Sequence, residues 1–139
     1  MDDYQAIHQV VVRYANAVDE LRFEAMHDVF TPDVRASYGG GPWLEGVEAI
    51  IAHISGLRNF QASLHLFGNL EIQLDGVQAT SVSRAMTYLI GTDGTFQARA
   101  LRYRDKWQKL AVGWRISERV HGAQWTYAGT AAMLAAERG

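Results

Sequence analysis

A chain of 139 residues with a formal net charge of −2, 48% apolar and 20% charged residues, has the size and composition of one globular domain that buries its own core. Its thirteen Lys and Arg are scattered, so no basic stripe exists to neutralise phosphates or anionic lipid, and neither nucleic acid nor a membrane is an expected partner. The lack of cysteine removes disulfides, thiolate metal sites and cysteine nucleophiles. With the acidic start Met1-Asp2-Asp3-Tyr4 and no apolar run near the ~20 residues that span a bilayer, it predicts a cytoplasmic protein.

Ile7, Val10, Val11, Tyr14, Ala15 and Val18 recur at three- and four-residue steps and predict a first helix over 4–18. Phe23, Met26, His27 and Phe30 predict a short second helix that stops at Thr31-Pro32, since the residue before proline is driven out of the helical region. Val34 to Tyr38 reads as a strand, and Gly39-Gly40-Gly41-Pro42 turns it back through Trp43-Leu44 as a hairpin. The triple glycine does not lead from a strand into a helix, so it is no phosphate loop. Val47, Ile50, Ile51, Ile54 and Leu57 form the apolar face of a third helix. Strands over 63–74, 78–90 and 95–108 follow, joined at Asp75-Gly76 and Asp93-Gly94, strong signals for hairpin turns. A last strand runs over 114–123. The tail, 126–139, carries an alanine-rich stretch that forms a terminal helix, a frayed end or a lid over its own or a neighbour's pocket.

Helices first and an antiparallel meander after them define an α+β layer fold in one domain, 1–139. Strands of this length must twist, so the sheet is expected to curve around three N-terminal helices as a cone-shaped barrel with an apolar interior, the usual setting of a ligand site.

Several short motifs lie along this framework: Arg13-Tyr14 with Asp19, Phe30-Thr31-Pro32-Asp33, Gly46, His65 with Gly68-Asn69, Arg102-Tyr103-Arg104-Asp105 and Gly113-Trp114-Arg115-Ile116. As a set they resemble the SnoaL-like polyketide cyclase and dehydratase family of the nuclear transport factor two-like, cystatin-like superfamily, whose relatives include scytalone dehydratase, bile-acid dehydratase and ketosteroid isomerase. The resemblance covers nearly the whole chain. It implies an Asp19/His65 dyad, with Tyr14 and Tyr38 matching tyrosines of the bile-acid dehydratases. It also implies a homodimer formed through the outer sheet face.

The chemistry of such a pair is well defined. A histidine has an unperturbed pKa of about 6.5 and suits proton transfer near neutrality. A carboxylate on one ring nitrogen fixes the tautomer and leaves the other nitrogen as base. Tyr14 is then placed to donate to a carbonyl oxygen as it gains charge. The reading is a cofactor-independent lyase or isomerase, of dehydratase or hydratase type, acting on a hydrophobic carbonyl compound such as a polyketide, steroid or terpenoid. The alternative is a non-catalytic binding or dimerisation module with the same fold. No metal or nucleotide is called for, and His8, His27, His53 and His121 show no ligand spacing and are assigned to surface or packing.

Taken singly, each residue has a plainer role: Asp19 as a helix cap, His65 as a half-buried strand histidine, the tyrosines as core aromatics. Strand alternation places Phe67 and Asn69 with His65 on the pocket side. The apolar even positions Val82, Met86 and Tyr88 are likewise expected inside, making Met86 and Tyr88 wall residues. Arg115 and Arg119 are left as surface charges or contacts at the pocket mouth.

Overall fold

The computed structural model describes residues 1–135. Helix α1, Asp3–Asp19, starts from a capping box in which Asp2 accepts from the Gln5 amide while the Gln5 side chain accepts from the Asp2 amide, so two otherwise orphaned N–H groups are satisfied. Its apolar stripe, Ile7, Val10, Val11, Tyr14 and Val18, is buried against the sheet. Phe23–Asp28 is a 3-10 helix rather than an α-helix. Strand β1, Phe30–Tyr38, begins directly after it, so Thr31-Pro32 lies inside the strand and not at a helix end. Proline is tolerated there because pairing is irregular between Phe30 and Arg35, and a bulge has no ladder bond for it to break.

The expected hairpin forms between β1 and β2, Leu44–Glu45. Helix α2, Val47–Ile54, continues as a 3-10 helix over Ser55–Asn59. Strands β3, Ala62–Asp75, β4, Gln78–Ile90, β5, Thr95–Leu110, and β6, Gly113–Thr130, form a meander whose first two turns hold Gly76 and Gly94 at positive φ, as the Asp-Gly pairs require.

The sheet has six strands in the order β2-β1-β6-β5-β4-β3. It curves over the helices without closing into a barrel. Nor is it wholly antiparallel, because β1 runs parallel to β6. Helix α2 and strands β2 to β5 lie between those two strands in the chain, long enough a connection for either direction. α1 crosses β3 and β6, and α2 lies against β1. Strand β6 extends to Thr130, paired with Thr95, so 126–130 is sheet and not tail. Residues 131–135 carry no regular structure, and the rest of the expected terminal helix or lid falls outside the described residues. No helix among the described residues is long and apolar enough to cross a membrane.

On β4 the interior face is the odd one. Ala79, Ser81, Ser83, Ala85, Thr87 and Leu89 are buried, and Val82, Met86 and Tyr88 turn to the outer face. Small inward residues make room for the large ones opposite: Trp107 fits over Ser81 and donates to its hydroxyl at 2.8 Å. Outside, Tyr88 and Met86 stand beside Ala98 and Ala100, which are themselves paired with Tyr127 and Trp125. The more apolar face of the strand therefore points out, against the usual polarity of a half-buried strand.

Candidate active site

Asp19 is the last residue of α1, where the helix end meets β3. Its Oδ1 lies 2.7 Å from His65 Nδ1, its Oδ2 accepts from the His65 amide at 2.7 Å, and Oδ1 also accepts from Ser63 Oγ at 2.9 Å. Burial would raise the Asp19 pKa, but the His65 ring and amide and the Ser63 hydroxyl outweigh it and hold the carboxyl below its ordinary value. An ionised carboxylate only accepts hydrogen bonds, so His65 Nδ1–H is the donor and Nε2 keeps its lone pair. Only 7% of the His65 side chain and 15% of Asp19 is exposed, so this is a largely desolvated, charge-assisted contact. The next turn is preceded by Arg22 and has no side-chain cap; Asp19 does not serve it.

His65 lines a cavity of about 420 Å³ together with Tyr14, Tyr38, Tyr103 and His121. The Tyr14 ring stands edge-on to His65, Phe30, Phe67 and Tyr103, with centroids 6.1–6.3 Å apart, a favoured aromatic arrangement. Tyr38 stacks on His53 at 4.8 Å and tilts over His121 at 5.1 Å. Burial pushes the hydroxyl pKa values of Tyr14, Tyr38 and Tyr103 upward, so all three are neutral donors. The Tyr38 hydroxyl is buried without a hydrogen-bond partner among the described residues.

Beneath these rings lies Arg119, fully buried, donating from Nε and Nη2 to Asp105 at 2.8 and 2.9 Å. Its guanidinium sits 4.4 Å from the centroids of both Tyr14 and Tyr103. Burial favours the neutral form, but Asp105 and the surrounding tyrosines more than offset it, and the group stays charged. Arg119 Nη1 has no partner among the described residues. His121 accepts from the Gly39 amide through Nδ1 at 3.2 Å, which leaves its proton on Nε2. Burial first, then Arg119 and Arg99, push its pKa down to about 4, so it is a neutral donor.

The residues singled out in the sequence therefore divide. Asp19, His65, Tyr14 and Tyr38 meet. Phe67 shares their face but packs under Tyr14 and against Tyr103, at 5.0 Å, as a support and not a wall. Asn69 does not share it: β3 is bulged between Phe67 and Leu70, which breaks the alternation and leaves Asn69 exposed. Met86 and Tyr88 are on the outer face, and Met86 and Asn69 border a shallow depression there with Leu66 and Trp125. Arg115 is half-buried, 4.0 Å from Asp28, but Arg119 lies in the core and not at the surface or mouth.

Arg119, Tyr103, His121, His53 and Arg99 were missed as site residues. A bulge on β6 between Trp107 and Lys106 partners, at Ser117, explains two of them. Trp114 and Ile116 are buried before it, Arg119 and His121 after it, a change of phase invisible in a simple alternation. Elsewhere folding joins Glu48 of α2 to His27 and Glu24, with His27 Nε2 2.9 Å from Glu48 and 3.5 Å from Glu24. All three are exposed, and screened surface pairs of this kind contribute little.

The fold and the cavity define an α+β domain in which a curved sheet and its helices border a cavity. The chain belongs to the SnoaL-like domain family, whose model matches residues 1–120. An uncharacterized protein of Mycobacterium tuberculosis is 29% identical over 126 residues, covering 86% of this chain and 84% of the relative. Among solved structures, a scytalone dehydratase-like protein of Novosphingobium aromaticivorans superposes with a TM-score of 0.83 at 20% identity, covering 96% of this chain and 90% of that one. A type 2 hexachlorocyclohexane dehydrochlorinase superposes at 0.84 with 12% identity, over 96% and 93%. These likenesses establish a nuclear transport factor two-like fold with dehydratase-type neighbours.

Proposed function

We propose that the chain is a cofactor-independent lyase or isomerase, of dehydratase or hydratase type, acting on a hydrophobic carbonyl compound such as a polyketide, steroid or terpenoid. The observation that carries this reading is the 2.7 Å Asp19–His65 contact opening onto a cavity with tyrosine donors. His65 Nε2 takes the proton from the carbon next to the carbonyl, and the C–H electron pair moves to make an enolate. The enolate oxygen accepts from the hydroxyls of Tyr14 and Tyr38, whose burial strengthens such bonds. The His65 imidazolium, held by ionised Asp19, then gives its proton to a β-hydroxyl, which leaves as water as the carbon–carbon double bond forms. Delivery to another carbon gives isomerisation instead, and hydration is the reverse path. Arg119 touches no substrate in this scheme. It is a positioning group whose buried charge makes donation from the tyrosines easier.

The test needs no substrate. The ring-proton shifts of His65 are followed by NMR across pH in the native protein and in Asp19→Asn; the pKa falls in the variant, because loss of an adjacent carboxylate disfavours the imidazolium. An unchanged titration removes the dyad and leaves the non-catalytic binding module as the better account. Small molecules that copurify, identified by mass spectrometry, supply substrates on which His65→Gln should bind but not turn over. The exposed apolar side chains of the outer face, Leu64, Leu66, Trp125 and Tyr127, support a homodimer through that face, read as a dimer's mass by light scattering.

A further inference from the structure

Four cross-strand neighbours, His65, Thr87, Arg99 and Thr126, form one row across β3, β4, β5 and β6. Directly paired residues share a face, and adjacent strands are about 4.8 Å apart, so His65 and Arg99 stand roughly 10 Å from each other at the backbone. Both line the same cavity. Among the described residues lining it, Arg99 is the one guanidinium and none is a carboxylate. Arg99 makes no hydrogen bond or ion pair with any described residue, in contrast to Arg119, which Asp105 neutralises.

Two neighbours point the same way. Thr87, between His65 and Arg99 in the row, is buried and its hydroxyl has no partner among the described residues. Gln97 enters the cavity from the adjacent row, opposite Leu89. A cation, a hydroxyl and an amide thus gather in a chamber whose other lining is the apolar Ile54, Leu57, Phe60 and Leu101 and the tyrosines and histidines of the His65 site. Arg99 already acts on this space, since it is one of the charges that hold His121 neutral.

We infer that Arg99, with Thr87 and Gln97, is a subsite for a carboxylate on the substrate, set on the same sheet wall as the His65 proton-transfer centre and two strands away from it. The inference deepens the acid/base reading and rests on it for taking the cavity as a substrate site. The substrate class becomes a hydrophobic ring acid whose reacting carbon and free carboxylate are separated by about the spacing of two strands, roughly 10 Å. A guanidinium is a planar fork that matches a carboxylate with paired N–H donors, and apolar walls around it reduce screening by water. The carboxylate anchors the far end and so sets which carbon faces His65 Nε2.

The experiment is calorimetric binding of hydroxynaphthoate and its primary amide, a pair that differs in charge and little in shape. The native protein is expected to bind the acid at least about tenfold more tightly, as a charge-assisted bond requires. Arg99→Gln abolishes that preference, Arg99→Lys keeps part of it, and His65→Gln leaves it in place. Equal affinity of the native protein for acid and amide, no binding of the acid, or a preference that survives in Arg99→Gln overturns the subsite. No turnover is read, so the two ideas fail separately. A missing preference beside an intact Asp19-dependent His65 titration removes the carboxylate site alone; the preference without that titration upholds the site and removes the acid/base reading.

Discussion

Arg119→Met places an uncompensated carboxylate in the middle of the core. Arg119 and Asp105 have side chains 0% and 1% exposed and share two bonds of 2.8 and 2.9 Å. Truncating one partner of such a pair costs about 3–5 kcal/mol, because the remaining charge is left buried. The guanidinium also stacks 4.4 Å from Tyr14 and from Tyr103, so the upper end of that range is expected. With an unfolding entropy of about 2.1 cal/mol/K per residue, the loss corresponds to a fall in Tm of roughly 10–17 °C. Removing both charges in Arg119→Met with Asp105→Leu leaves no orphan and recovers most of it, as isosteric apolar replacement of buried pairs does. Urea denaturation of the two single variants and the double variant gives the cycle. A single variant that loses less than about 1 kcal/mol, or a double variant as unstable as the sum of the singles, refutes the claim that this pair is desolvated and mutually dependent.

His121 gives the chain an acid-sensitive element. Its folded pKa of about 4 lies below the ordinary 6.5, so between those values the unfolded chain takes up a proton that the native state refuses. Stability therefore falls with pH across that window, by about 3 kcal/mol in all, and no further below it. His121→Gln, which can still accept from the Gly39 amide, should flatten this part of the urea-midpoint profile; an unaltered slope shows that another group is responsible. At the outer face, Trp125→Glu places a charge in the exposed apolar patch and should convert a dimer's light-scattering mass to a monomer's, with the unfolding midpoint at low concentration unchanged.

What could be read in the sequence, and what could not, follows from how far each signal reaches. The hairpin turns at Asp75-Gly76 and Asp93-Gly94 are local chemistry, and the strands they bound were placed to within a residue or two. The meeting of Asp19 with His65 came from family-like spacing, and the structure supplies its physical content: one carboxylate tied to two residues on the same face of β3. Direction and phase were harder. The parallel pairing of β1 with β6 joins segments far apart in the chain, which no short-range pattern records. The inward phase of β4 was misjudged because its interior residues are small and hydroxyl-bearing while its outer face is the apolar one.

The bulges at Asn69 and Ser117 decide the rest, since one extra residue moves every later side chain to the opposite face. Asn69 leaves the His65 face for that reason, and Arg119 and His121 enter it. Yet one signal for Arg119 was present. Along β5, Leu101, Tyr103 and Trp107 alternate as a buried face, and Asp105 falls in step with them. A carboxylate in that register cannot remain buried and charged by itself, so the strand requires a cation from a neighbour. β6 has three arginine and lysine-like candidates fewer than β5 but offers Arg115 and Arg119 at its start. Only a phase change after Ile116 brings one of them to Asp105. Read in that order, the buried acid predicts both the interior arginine and the bulge that delivers it, and through the arginine the charged floor beneath Tyr14.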